Sequence, residues 1–205
     1  MRVIAPTPQG IRDAATVIRD GGVVAYPTET VYGLGANPFS TEAIERLFDI
    51  KGRETHNPIP LVIGEMRQLT YEIAHIAPRD MAYIHTFWPG PLSLLLPKSP
   101  RIPDMLTAGN PKVCVRWTSH PVARALCLAV GTAITSTSAN RSGEPPARSV
   151  DELNLPGIDL VLDGGTLEPN APSTVFDPET GMIIRAGAIS EEALRAVPRM
   201  RPPGR

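Results

Sequence analysis

The stretch AYPTETVYGLGANP, Ala25–Pro38, decides how the chain is read. It continues the apolar run VVAY, Val23–Tyr26, which reads as a buried strand. It then turns polar through Thr28, Glu29, Thr30 and Tyr32 before Gly33 and Gly35. Two glycines after a strand suggest a nucleotide-binding turn. The dinucleotide fingerprint, however, requires a third glycine at position 38, where Pro38 stands. A Walker A loop is excluded as well, because the chain contains no Gly-Lys dipeptide. On an extended chain alternate residues share a face, so Thr28, Thr30 and Tyr32 are expected to point one way, as a row of hydroxyls for a small polar ligand. An ordinary turn built from strand-forming residues accounts for the same letters.

Outward from this stretch, helical and strand patterns alternate. Thr7-Pro8 reads as a cap and first helical residue, followed by Ile11, Ala14, Ala15 and Ile18 at helical spacing. Ser40 or Thr41 caps a second helix carrying Ile44, Leu47 and Phe48, which ends near Lys51-Gly52-Arg53. Strands are expected at 59–63, 92–96, 113–117, 132–140, 158–165, 173–177 and 182–187. Helical segments are expected at 65–73 and 78–87, after His120-Pro121, and after Ser190. This pattern predicts an α/β or mixed α+β fold built on a twisted, largely mixed β-sheet. Residues 1–197 read as one domain, and 198–205 as a basic, proline-rich tail.

Composition narrows the function. Charged residues are 20% of the chain, the formal net charge is -1 and aromatics are 5%, so neither a basic footprint nor a stacking platform for RNA is indicated. The two cysteines, Cys114 and Cys127, stand far apart and read as buried free thiols. The N-terminus lacks a leader pattern and no run spans a membrane, so a cytoplasmic protein without membrane contact is expected.

Two further polar clusters remain. Lys51 and Arg53, followed by Asn57-Pro58, lie past a helix end. They suit either the helix dipole or a clamp on polyphosphate, with Lys as point charge and Arg as planar fork. In TSTSAN, Thr135–Asn140, Ser136, Ser138 and Asn140 recur at period two where a strand ends, and ligands of open α/β sheets bind there. Arg116 ends the apolar strand VCVR, and a cation there calls for an anionic partner or ligand. Ser173, Thr174 and Arg185 occupy similar strand ends. Cations and hydroxyls without a nucleophile–base pair suit phosphoryl or nucleotidyl transfer by alignment and charge stabilisation.

The ordered motifs PTETVYGLG, KGR with NP, WPGPLSLLLP, VCVRWTSHPVARAL, TSTSANRSGEPP, PSTVFD and IIRAGAIS resemble the YrdC-like family over about residues 10–190. The resemblance implies a fold around a large concave cavity. It also implies a nucleotidyltransferase that makes L-threonylcarbamoyl-AMP and pyrophosphate from L-threonine, bicarbonate and ATP, for tRNA modification. Carried over by motif, Thr28, Thr30 and Tyr32 contact threonine or its carbamate, with Ser136 and Ser173 near the substrate. Arg116 takes the threonine carboxylate, and Lys51 and Arg53 take the triphosphate as catalytic residues. Asn57, Ser138, Asn140 and Arg185 hold the nucleotide. Mg²⁺ arrives with ATP, without a dedicated protein metal site. The implied partners are a downstream tRNA threonylcarbamoyl-transfer machinery and a weak contact with tRNA.

The chain departs from the family pattern in two places. Val62 or Ile63 stands where many relatives have a histidine, and Lys112 stands where a small hydroxyl residue is common. Longer relatives carry a second C-terminal domain, and a single-domain form is expected here. The rival readings are a non-catalytic tRNA or double-stranded RNA binder and a carbamoyl-transfer module.

Overall fold

A computed structural model describes residues 1–52, 57–69 and 72–198. In chain order these form β1 (Arg2–Ile4), α1 (Pro8–Arg19), β2 (Val24–Pro27), β3 (Tyr32–Gly35), α2 (Thr41–Lys51), β4 (Leu61–Ile63), α3 (Pro78–Phe87) and β5 (Leu92–Pro97). There follow α4 (Asp104–Thr107), β6 (Lys112–Trp117), α5 (Pro121–Val130), β7 (Ile134–Thr135), β8 (Thr137–Ser138), β9 (Leu160–Leu162), β10 (Thr174–Asp177), β11 (Met182–Arg185) and α6 (Glu191–Arg195). The class is the expected mixed α+β.

The strands divide into two sheets rather than one. The first runs β1-β9-β2-β3-β8, and the second β11-β10-β5-β6-β4-β7. The expected strand at 132–140 is the junction between them. Ile134–Thr135 pairs with β4, Thr137–Ser138 pairs with β3, and Ser136 lies between. Where a helix is expected at 65–73, the described residues form a 3-10 turn, Met66–Gln68.

The caps explain the helix starts. Thr7 accepts a hydrogen bond from Gly10 N and Pro8 opens α1. Ser40 and Ser190 accept from Ala43 N and Ala193 N at the starts of α2 and α6. Gly52, at φ +53°, ends α2 in the left-handed region that a Cβ disfavours. Gly35 is needed for closeness instead, since a Cβ there would lie 2.9 Å from the Tyr26 ring.

Two cores fill the layers. The larger one joins Leu34, Ile44, Leu47, Leu61, Leu94 and Val115. The smaller one lies under α1 and α5 and holds Ile11, Ile18, Leu126, Ile134 and Leu160. Strand alternation then sets the site. On β6, Val113 and Val115 face the core, while Lys112, Cys114 and Arg116 line a cavity on the other face. On β5, Leu92, Leu94 and Leu96 face the core while Ser93 and Leu95 line that cavity.

Candidate active site

A cavity of about 830 Å³ separates the open face of the second sheet from the Thr28–Val31 turn and the Ser136–Ser138 junction. Thr28, Thr30, Arg116, Ser136, Ser138, Ser173 and Arg185, all singled out from sequence, line it together. These residues are far apart in the chain and meet only through the two sheets.

Residues 28–31 form the turn of an antiparallel hairpin in which Pro27 pairs with Tyr32, not a continuous strand. The expected common face for Thr28, Thr30 and Tyr32 therefore does not form. Thr28 Oγ donates to Val31 O at 2.6 Å and tightens the turn, which leaves Thr28 and Thr30 on the cavity wall. Tyr32 faces the core instead. Its hydroxyl accepts from Gly164 N (3.0 Å) and donates to Gly165 O (2.8 Å).

Arg116 is buried at 8% exposure, and its partner is Glu29, with Nη1 2.7 Å from Oε2. Glu29 Oε1 accepts from Thr118 Oγ (2.8 Å), Ser119 N (2.7 Å), Ser119 Oγ (3.0 Å) and His120 N (3.2 Å). Burial pushes the Glu29 carboxyl up, but the charge and hydrogen bond of Arg116, with the donors on the other oxygen, outweigh it and hold it at about 2. The carboxylate is ionised and pins the guanidinium to the hairpin turn.

Lys51, the last residue of α2, is 2% exposed. Its Nζ donates to the carbonyls of Ser138 and of Asn140 (2.8 Å), so it anchors the loop behind the cavity wall and does not line it. Asn140 lies outside the lining too, its Nδ2 donating to Arg141 O (2.8 Å) and Glu144 O (2.7 Å). Asn57 is exposed and does not line it. Arg53 lies outside the described residues.

Across the floor, Arg185 Nη2 donates to the Ser173 carbonyl (2.9 Å) and to Ser173 Oγ (2.9 Å). Lys112 also lines the cavity, but Asp177 (2.7 Å) and Glu179 (2.8 Å) take its charge. Burial pushes the Cys114 thiol up to about 11, so it contributes a neutral wall. Arg148 and Asn170 stand at the rim, the latter donating to Glu29 O at 2.9 Å.

Sequence reasoning did not assign Glu29, Ser93, Arg148 or Asn170. For Glu29 a signal existed, as the one carboxylate in the Thr28–Tyr32 cluster while Arg116 lacked an anion. The others carried none. Chemically, the cavity offers guanidinium groups opposite hydroxyls, a setting for anionic substrates rather than for a nucleophile.

A model of the Sua5/YciO/YrdC family, described as telomere recombination, matches residues 16–187. The threonylcarbamoyl-AMP synthase of Halorhodospira halophila is 41% identical over 181 residues, covering 87% of this chain and 95% of that one. The crystal structure of P. abyssi Sua5 complexed with L-threonine superposes with a TM-score of 0.87 at 35% identity, covering 98% of this chain. The chain spans 61% of that longer protein. The crystal structure of E. coli YciO gives a TM-score of 0.80 at 25% identity, covering 94% of this chain and 98% of that one.

Proposed function

The chain belongs to the Sua5/YciO/YrdC family, and from that premise we propose that its cavity makes L-threonylcarbamoyl-AMP and pyrophosphate from L-threonine, bicarbonate and ATP. The observation that carries this is the meeting of Arg116, Ser138, Ser173 and Arg185 in one hollow of about 830 Å³, a size suited to a nucleotide with an amino acid beside it.

Arg116 takes the threonine carboxylate with donors not committed to Glu29. Thr28 and Thr30 stand close to the amine, which condenses with bicarbonate to a carbamate and releases water. A carbamate oxygen attacks the α-phosphorus of ATP, the α–β bridging bond breaks and pyrophosphate leaves. Ser138 borders the nucleotide and Ser136 the threonine substrate, and Lys51 fixes their loop from behind. Arg53 is assigned to the triphosphate and Arg185 to the nucleotide on their motifs, while Lys51 and Asn140, outside the lining, act by holding the Ser138–Asn140 loop. Alignment and charge stabilisation supply the rate.

No three His, Cys, Asp or Glu among the described residues stand close enough to hold a metal ion. In this reading Mg²⁺ belongs to the substrate, bound to the ATP phosphates. The product is a reactive mixed anhydride, so a downstream enzyme must pass the threonylcarbamoyl group to tRNA. No helix among the described residues is long and apolar enough to cross a membrane.

Carbon-13 bicarbonate tests the reaction. Mass spectrometry of the product should find one heavy carbon in threonylcarbamoyl-AMP, and AMP without that adduct overturns the assignment.

A further inference from the structure

Residues 163–172 connect β9 of the first sheet to β10 of the second and have no helix or strand of their own. The segment crosses from one wall of the cavity to the other, and its Asn170 and Pro172 border the cavity. Its two ends are fixed. At the first, the Tyr32 hydroxyl group accepts from Gly164 N and donates to Gly165 O. Leu167 N donates to Arg148 O at 2.8 Å, and the Leu167 side chain packs against the larger core. At the second end, Pro172 O accepts from Ala188 N at 2.9 Å.

The middle is held differently. Residues 168–171 are exposed, and among the described residues they make one hydrogen bond, from Asn170 Nδ2 to Glu29 O at 2.9 Å. Pro169 has no N–H to donate, and its fixed φ stiffens the span. A stretch with few buried contacts and one exposed bond opens locally at a small fraction of the cost of unfolding. Glu29 reaches both sides of the site through different atoms. Its carboxylate holds Arg116, and its carbonyl holds Asn170. The turn that positions the cavity arginine is therefore also the seat of the strap.

We propose that residues 168–171 form a strap that opens to pass substrates and product and, with Asn170 seated on the Glu29 carbonyl, shields the bound adenylate from water. This rests on the reaction given above, whose product is a mixed anhydride. Water can add to its carbamoyl carbon. The bond from that carbon to the phosphate oxygen then breaks, AMP departs, and the N-carboxythreonine left behind loses carbon dioxide to return threonine. That sequence consumes ATP without yielding product. Closure over a reactive intermediate prevents such hydrolysis. Asn170 is a positioning residue, since it acts through the strap and the Glu29 turn rather than on the reacting atoms.

The test measures AMP and pyrophosphate in one reaction mixture, after subtracting the hydrolysis of free threonylcarbamoyl-AMP in buffer. It compares the native chain with Asn170→Ala, with the isosteric Asn170→Asp, which lacks the donor, and with a Glu168→Gly, Pro169→Gly double variant. The native chain should release little AMP per pyrophosphate. Asn170→Ala should raise that ratio ~5-fold, the change in open population that one hydrogen bond of this kind sets. Asn170→Asp should do the same, and so should the double variant, which leaves the cavity lining untouched. Thermal midpoints should stay native, because every altered side chain is exposed. A native ratio in any of the three variants overturns the proposal, as does a raised ratio that accompanies a lowered midpoint. Absence of any threonine-dependent pyrophosphate release by the native chain overturns the proposed function itself, so the two failures are distinct.

Discussion

Arg116 Nη1 and Glu29 Oε2 lie 2.7 Å apart, tying the end of β6 to the hairpin turn that forms the cavity wall. The pair is largely shielded from water, with 10% and 20% side-chain exposure. Removing one member strands the other's charge. Arg116→Ala is expected to cost about 3 kcal/mol in denaturant unfolding and to raise the threonine KM more than ~10-fold. A variant of native stability and native threonine KM contradicts the role given to the pair.

The same carboxylate gives the fold an acid dependence. The Glu29 carboxyl is held at about 2, below its ordinary value of 4.5, so its stabilisation is complete above the ordinary value and is lost as pH falls through 2. The magnitude is on the order of 3 kcal/mol. Glu29→Gln removes this contribution. The stability difference between native and variant should therefore be largest near neutrality and shrink below about pH 4. A difference that stays constant down to about pH 2.5 shows that Glu29 is not the group responsible.

Lys51 reaches the loop carbonyls of Ser138 and Asn140 from the end of α2. Lys51→Ala loses two charge-assisted hydrogen bonds, and a stability loss of about 2 kcal/mol is expected. With the loop loosened and a cation removed, most pyrophosphate release should disappear, and the ATP KM should rise more than the threonine KM. Full turnover at native ATP KM is the result that rules this out.

Tyr32 bridges Gly164 N and Gly165 O through its hydroxyl group. Tyr32→Phe keeps the ring in the core and leaves both backbone groups without that partner. A loss of about 1–2 kcal/mol is expected in thermal or denaturant unfolding. An unchanged midpoint shows that water replaces the bridge.

Local signals were legible in the sequence where the physics is local. Thr7, Ser40 and Ser190 announce helix starts because a capping oxygen acts within three residues. The alternation of Val113 and Val115 with Cys114 and Arg116 announces a strand with one face turned from the core. The split of 132–140 was not legible, since two short strands enter different sheets through partners about 70 to 100 residues away. Arg116 could be seen to need an anion, but not whether a residue or a substrate would supply it. Ser93 was hidden in LSLLL, which reads as a core strand until the register places it opposite the cavity arginine.

The most direct measurement uses the purified chain with Mg²⁺ and ATP labelled in the γ-phosphate, omitting L-threonine and bicarbonate in turn. Release of labelled pyrophosphate should require both, and should fall to background when either is left out. Release that continues at the same rate without threonine, or none with all substrates present, would mean that this cavity does not join threonine to an adenylate.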